Sequence, residues 1–304
     1  MDAIQFWWIF DALVVLIAVW VIFSNGRRGV NKVLVLSIGY LIATVAASFG
    51  ATIAAPVMYE LYARDSNLAA IQEVNKEFDT AKCFCEALDE QHYGTEIEQG
   101  RIQALLLPPN TDDFDQNIFA YINEKCGGEV ATPMAFKKVL SDAFMKDYGK
   151  TLGEKLPYYA EVNFKDAMSK DPALIHTMLT EFYSIAATDK DKAEFVEDRF
   201  VKESTVQIFT IFIYLVIFSV IMVIAAVIAK GVQYSLFINI SAAKDHLYGA
   251  VLGLIEAAVM LILLTFFVRL LVLLFGGRLL CFNEDTIYAS RIFKYLYERI
   301  DLLL

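Results

Sequence analysis

The chain has 304 residues, of which 57% are hydrophobic and 20% are charged, and its formal net charge is −10. A mean hydropathy of +0.49 is too high for an ordinary soluble domain, so polar and apolar residues must occupy separate segments. The acidity is concentrated in residues 59–204, which contain 28 acidic and 16 basic side chains. This region has no basic stripe or aromatic platform, which argues against nucleic acid as a partner.

Four long apolar segments predict four membrane-spanning helices, because a bilayer core of ~30 Å requires about 20 apolar helical residues. The segments are residues 4–25, 33–58, 206–229 and 247–275. Asp2 stands where a cleavable signal would have basic residues, so we expect the first segment to be retained. The predicted fold is all-α: a four-helix polytopic membrane protein, embedded in the lipid bilayer, with an inserted helical extracytoplasmic domain. Its predicted parts are a transmembrane hairpin (1–58), the acidic domain (59–204), a second hairpin (205–279) and an amphipathic tail (280–304).

The first segment contains one carboxylate, Asp11, about a turn after Trp7 and Trp8, which are typical of the aromatic belt at a membrane interface. Near the start of a helix, a negative charge is favoured by the helix dipole. Asp11 could also pair with Arg269, which lies at a similar depth, about 12 Å from the outer end of the fourth segment. For Arg269, the simpler interpretation is that its long side chain extends to the interface.

The loops within the two hairpins indicate the orientation in the membrane. Arg27, Arg28 and Lys32 follow the first segment with no acidic residue among them, and the loop at 230–246 is also mildly basic. Basic residues in short loops stay in the cytoplasm. We therefore expect the N-terminus, residues 59–204 and the C-terminus to lie on the extracytoplasmic side.

Small residues recur at helical spacing in the second and fourth segments. Gly39, Ala43 and Ala47 lie on one face of the second, and Gly249 and Gly253 form a GxxxG pair in the fourth. Such faces let two helix backbones approach closely. They predict that the fourth helix packs against the second, or against the fourth helix of another copy.

Glu256 interrupts the fourth segment and shares the helical face of the two glycines. A carboxylate in hydrocarbon costs ~2.5–3.5 kcal/mol on insertion scales, so we expect it to face protein rather than lipid. Two roles remain open. Glu256 could be hydrogen-bonded within the bundle, with Tyr40 as the expected partner, or it could contact an ion, a proton or a substrate.

Residues 59–204 show apolar positions at spacings of three and four, which predict a set of helices, the last of them running on into the third membrane segment. No nucleophile elbow, metalloprotease motif or phosphate-binding loop occurs in the sequence. The cluster Asp112, Asp113 and Asp115 lacks the spacing of a calcium loop and is interpreted as a solvated acidic loop. We therefore expect neither an enzyme nor a cofactor.

The four cysteines are Cys83, Cys85, Cys126 and Cys281. The predicted topology places all of them outside the cytoplasm, where disulfides can persist. A bridge from one residue of the Cys83/Cys85 pair to Cys126 and fully free thiols are both open. The spacing does not favour a zinc site. In the tail, apolar and aromatic residues at helical spacing predict an amphipathic helix lying on the membrane or on the inserted domain.

These features resemble the colicin V production protein (CvpA-like) family. In that family a membrane Asp precedes a short Arg-Gly turn, as Asp11 precedes Arg28–Gly29 here. The family's last helix opens with D-x-x-x-G-x-x-x-G, which Asp245, Gly249 and Gly253 resemble. The resemblance covers the two hairpins, about half of the chain. This chain departs from the family in its large inserted domain, and in Glu256, where the family often carries Arg.

The resemblance implies a bacterial cytoplasmic membrane protein linked to toxin production or export and to envelope integrity. We therefore expect a scaffold or accessory protein for envelope maintenance or secretion. Its expected partners are further copies of itself or other envelope membrane proteins. The alternative is an oligomeric small transporter or channel, in which Glu256, Tyr40 and Asp11 would line a path.

Overall fold

The computed structural model describes residues 6–28, 30–232, 241–275, 279 and 282–300. Within these residues the chain forms fourteen α-helices and no strand. Four of the helices are long and apolar enough to cross a membrane. They are α1 (Trp7–Arg28), α2 (Val30–Tyr62), α11 (Lys202–Val232) and α12 (Ala242–Phe275). The predicted all-α polytopic architecture is therefore confirmed.

The outer faces of these four helices are covered by large apolar side chains. Exposed examples are Val15, Leu16, Val19, Trp20 and Phe23 on α1; Val45, Phe49 and Ile53 on α2; Val216, Val220 and Val223 on α11; and Val251, Leu254 and Phe267 on α12. A continuous apolar surface of this size is not stable in water and is compatible with hydrocarbon. The protein is therefore embedded in a membrane.

The chain divides into two compact units. One, here called the membrane unit, comprises Met1–Leu61 and Thr205–Leu304, and the other comprises Tyr62–Ser204. The boundaries predicted from composition were 58/59 and 204/205.

Within the membrane unit, the small-residue faces have different partners from those predicted. A Cβ added at Gly249 or Gly253 of α12 would meet atoms of Asn25 in α1. On α2, a Cβ added at Gly39 would lie 2.7 Å from Ala225 Cβ of α11. The prediction that α12 packs on α2 through these faces is therefore wrong. Each face instead admits the helix beside it: α1 against α12, and α11 against α2.

The second unit contains eight helices around an aromatic core. They are α3 (Arg64–Glu77), α4 (Thr80–Asp89), α5 (Gln99–Leu106), α6 (Phe114–Cys126), α7 (Pro133–Lys155), α8 (Tyr159–Lys170), α9 (Leu174–Tyr183) and α10 (Asp189–Phe200). Tyr148 lies 5.2 Å from both Phe144 and Phe164, measured between ring centroids. Thr188 and Asp191 form a capping box at the start of α10. This helix ends at Phe200, so it does not run on into α11 as predicted.

The tail forms two short helices, α13 (Glu284–Ala289) and α14 (Phe293–Arg299), instead of one. Its apolar side chains pack against α1 and α12 in one buried cluster, which contains Phe10, Val14, Val268, Val272, Ile287, Phe293 and Tyr297. The rings of Phe10 and Phe293 stack at 5.1 Å. The tail is thus part of the membrane unit, where it packs on α1 and α12.

Candidate functional site

A buried polar cluster lies where α1, α2 and α12 meet. Helix α1 continues to Arg28, so Asn25 is helical and faces α12, with only 1% of its surface exposed. Its amide Nδ2 donates to Glu256 Oε2 at 2.5 Å. Asn25 was not predicted as a site residue, because the letters "SNGRRG" are typical of a turn. One feature of the sequence did indicate a helical position. Asn25 lies seven residues before Lys32, so a first helix long enough to span the bilayer can include it.

Glu256 is 7% exposed and faces protein, as predicted. Its second oxygen, Oε1, accepts a hydrogen bond from the hydroxyl of Tyr40 at 3.1 Å, so the predicted Tyr40–Glu256 contact is present. Each carboxylate oxygen therefore has its own donor, one from α1 and one from α2. Because buried polar groups in hydrocarbon must be satisfied internally, this arrangement joins three helices around one side chain.

Two glycines allow α1 to approach this carboxylate. A Cβ at Gly249 would lie 2.7 Å from the carbonyl oxygen of Asn25, and one at Gly253 would lie 3.0 Å from Asn25 Cβ. The GxxxG face is thus occupied by α1 of the same chain. The predicted association of two copies through this face is corrected for that reason, since no free surface remains there.

The first turn of α12 also contacts the end of α1 and the start of α2. The carboxylate of Asp245 accepts from the backbone N–H of Val30 at 2.8 Å, at the positive end of the α2 dipole. His246 Nδ1 lies 2.6 Å from the carbonyl oxygen of Gly26. A carbonyl only accepts, so Nδ1 carries the proton in this contact. The start of α12 therefore lies at the same end of the membrane unit as the end of α1 and the start of α2.

Arg28 extends the cluster to the surface. Its guanidinium donates to Asn25 Oδ1 at 3.3 Å. Beside it, a groove of about 450 Å³ runs between α1 and α12. Its lining residues are Ile17, Trp20, Val21, Ser24, Asn25, Arg28, Glu256, Met260, Leu263, Leu264 and Phe267. Arg27 points elsewhere, over the ring of Phe23 at 4.2 Å. The side chain of Lys32 lies outside the described residues.

Asp11 does not pair with Arg269, so the predicted ion pair is corrected. Its carboxylate instead accepts three backbone N–H groups of the tail: Arg291 at 2.8 Å, Ile292 at 2.9 Å and Phe293 at 3.0 Å. These are donors that the start of α14 leaves without intrahelical partners. A carboxylate at a helix N-terminus is also favoured by the helix dipole. Asp11 thus connects α1 to the tail.

Arg269 is engaged inside the membrane unit as well. Its guanidinium donates to the hydroxyl of Tyr297 at 3.0 Å and to Gln207 Oε1 at 3.4 Å. It also lies 3.6 Å from a carboxylate oxygen of Glu284. The expectation that this side chain simply extends to the interface is therefore replaced by contacts with α11 and the tail.

The described cysteines, Cys83, Cys85 and Cys126, are free thiols. Cys83 donates to a carboxylate oxygen of Asp147 at 3.6 Å, whereas Cys126 donates to the carbonyl of Tyr93 at 3.5 Å. Because these thiols have different partners, the bridge considered between the Cys83/Cys85 pair and Cys126 is not formed. Cys281 lies outside the described residues.

The fold and this cluster define an all-α, multi-pass membrane protein whose intramembrane polar side chains are bound by other groups of the same chain. No protein-family model, curated protein or solved structure matches the chain.

Proposed function

We propose that the protein is a membrane scaffold, in which the membrane unit anchors the acidic helical domain of residues 62–204. The observation that carries this proposal is the use made of the intramembrane polar residues. Glu256 joins three helices, and Asp11 and Arg269 hold the tail. Each of these side chains is bound by groups of the same chain, so each has a packing role that requires no substrate or ion.

The resemblance to CvpA-like proteins supports a more specific proposal. The scaffold would reside in a bacterial cytoplasmic membrane, without enzymatic activity, and would serve envelope maintenance or secretion. Asp245, Gly249 and Gly253, which carry part of that resemblance, all contact the end of α1 or the start of α2. These three residues would then serve to pack the start of α12 against the first hairpin. This role would not depend on the function of the inserted domain.

A small transporter or channel is the second candidate, because Glu256 and Arg28 line the same groove between α1 and α12. The two candidates differ in what they require of Glu256. A transport residue must change its charge or its partner during the cycle. A scaffold residue needs only to keep its hydrogen bonds. Gln can do so if its amide oxygen accepts from Asn25 and its NH2 group donates to the Tyr40 hydroxyl, which turns to accept.

Complementation of a deletion strain separates these candidates. The readouts are survival in detergent and export of a toxin reporter, scored for the parent, Glu256→Gln and Gly249→Leu. A scaffold predicts that Glu256→Gln restores both phenotypes and that Gly249→Leu restores neither, because leucine cannot fit against Asn25. If Glu256→Gln reaches the membrane in normal amount but restores nothing, the transporter is favoured instead.

The proposed orientation has its own test. Ile185 is 90% exposed in the second unit, and Lys230 is exposed near the C-terminal end of α11. Each is changed to cysteine in a chain whose natural cysteines are replaced by serine. An impermeant maleimide added to intact cells should label the cysteine at 185 and leave the one at 230 unlabelled. The reverse pattern would place the acidic domain in the cytoplasm.

A further inference from the structure

The groove between α1 and α12 has one polar end and one apolar end. Ser24, Asn25, Arg28 and Glu256 lie at the first, and the rest of the lining is aliphatic, aromatic or Met260. Its volume of about 450 Å³ falls within the range of roughly 300–1,000 Å³ typical of small-molecule sites. The groove opens on the outer face of the bundle, where Trp20 is 65% exposed. A ligand would therefore enter from the lipid side.

The length of the groove corresponds to one leaflet of a bilayer. On α1 it runs from Ile17 to Arg28, and on α12 from Phe267 to Glu256. Eleven residue-to-residue steps along the helix in each case span about 16 Å at 1.5 Å per step. Half of a hydrocarbon core of ~30 Å is about 15 Å, so the whole groove is about as long as one leaflet. Its apolar part, from Met260 to Phe267 on α12, is about 10 Å long and would hold the upper part of one acyl chain.

The charge at the polar end favours an anion. Arg28 is exposed, and its one hydrogen bond among the described residues is to Asn25, which leaves most of its five N–H donors available. The opposite charge, on Glu256, is buried and accepts from Asn25 and Tyr40. A group approaching from the lipid side thus meets the guanidinium first. Guanidinium and phosphate form two parallel hydrogen bonds.

We propose that this groove binds an anionic phospholipid, with its phosphate on Arg28 and one acyl chain along α1 and α12 toward Ile17 and Phe267. The bound lipid would cover the open side of the Asn25–Glu256 pair and exclude water from it. This site goes beyond the scaffold proposal and does not depend on it, because it requires only the described groove in a membrane.

Trp20 provides a direct reporter, since the chain has three tryptophans and only Trp20 lines the groove. Trp7→Phe and Trp8→Phe leave it as the single fluorophore. The full chain is reconstituted in phosphatidylcholine vesicles that contain a small fraction of either brominated phosphatidylglycerol or brominated phosphatidylcholine. We expect half-maximal quenching at an about fivefold lower mole fraction of the anionic lipid, the factor given by the ~1 kcal/mol that one basic side chain contributes beside anionic lipid.

Two neighbouring arginines supply the matched controls. Arg28→Gln should abolish the preference, and Arg28→Lys should retain most of it because the charge remains. Arg27→Gln removes the same charge one position away, from a different groove that contains Phe23 and His246, and should leave the preference intact. Equal quenching by both lipids in the parent would overturn the proposal. So would an equal loss with Arg27→Gln, which would mean general attraction to a charged surface, or with Arg28→Lys, which would mean that the positive charge at this position does not carry the preference.

Discussion

The carbonyl oxygen of Asn25 lies so close to Gly249 that a Cβ at that position would be 2.7 Å away. The same Asn25 donates to Glu256, two turns further along α12. One residue of α1 therefore contacts both a glycine and a carboxylate of α12. Close packing and the hydrogen bond depend on each other, because the amide reaches the carboxylate only if the backbone can approach.

Gly249→Ala is expected to destabilise the membrane unit. The atom it would strike is a backbone oxygen, which cannot move as a flexible side chain can, and overpacking typically costs about 1–3 kcal/mol. The measurement is the thermal unfolding midpoint of the full chain in detergent. Gly253→Ala should cost less, since its nearest neighbour is Asn25 Cβ at 3.0 Å.

Gly231→Ala is the control for this comparison. It lies in the last turn of α11, and a Cβ there would meet nothing within 4 Å. Alanine favours helix over glycine by at most about 1 kcal/mol, so the midpoint should stay or rise slightly. Equal midpoints for Gly249→Ala and Gly231→Ala would contradict the close approach of α1.

Hydrophobicity was sufficient to predict the four spans, since length and apolar composition are local properties of a sequence. The Tyr40–Glu256 contact was also predictable, because a buried carboxylate needs a donor at its own depth. The partner of the GxxxG face was not predictable. Glycines at 249 and 253 indicate that some backbone comes close, but not which one, and α2 carries a more regular row of small residues than α1.

The Asp11–Arg269 prediction failed for a related reason. Equal depth along two helices does not establish that two side chains point toward each other. The actual partners of Asp11 are backbone N–H groups of residues 291–293, far away in sequence. Backbone donors carry no residue-type signature, so no pattern in the tail could have identified them.

Asp11→Ala is expected to release the tail from α1. It removes the acceptor of three N–H groups at the start of α14, and loss of a capping side chain costs about 0.5–2 kcal/mol. Trypsin should then cleave after Arg291 and Lys294 several times faster, with the fragments measured by mass spectrometry. Asp11→Asn keeps one acceptor oxygen and should give an intermediate rate. Equal cleavage of Asp11→Ala and the parent would mean that the apolar cluster alone holds the tail.

The cysteines of the second unit should differ sharply in reactivity. Burial, reinforced by Asp147, raises the pKa of Cys83 far above its usual range, and burial raises the pKa of Cys85 from 9.0 to about 11. At neutral pH, Cys85 then has about a hundredfold less thiolate than an ordinary thiol, and the thiolate is the nucleophile. In a Cys281→Ser chain, maleimide should modify the partly exposed Cys126 first. In a chain that carries both Cys281→Ser and Cys126→Ser, maleimide labelling should require denaturation. Rapid labelling of Cys83 in the folded chain would contradict its buried environment.

Glu197 should make the protein less stable as the pH rises. It is 1% exposed, and burial, with a smaller contribution from Asp198, raises its pKa from 4.5 to about 7, against the opposing effect of Lys202. Between these values the unfolded chain has released the proton that the folded chain still binds. The free energy of unfolding therefore falls from about pH 4.5 to pH 7 and is level above, by about 3 kcal/mol at most.

Glu197→Gln tests this directly, because it removes the titration and preserves the shape of the side chain. Thermal unfolding of the full chain in detergent, followed at pH 5, 6, 7 and 8, should show a higher midpoint than the parent at pH 8. The difference should be much smaller at pH 5, where the carboxyl is protonated in the folded chain and the unfolded chain has released its proton only in part. Glu154→Gln is the matched control, since Glu154 is exposed and its pair with Lys150 spans 3.9 Å, a contact worth about 0–1 kcal/mol. A parent and a Glu197→Gln variant that keep the same difference at every pH would show that Glu197 is ionised throughout this range.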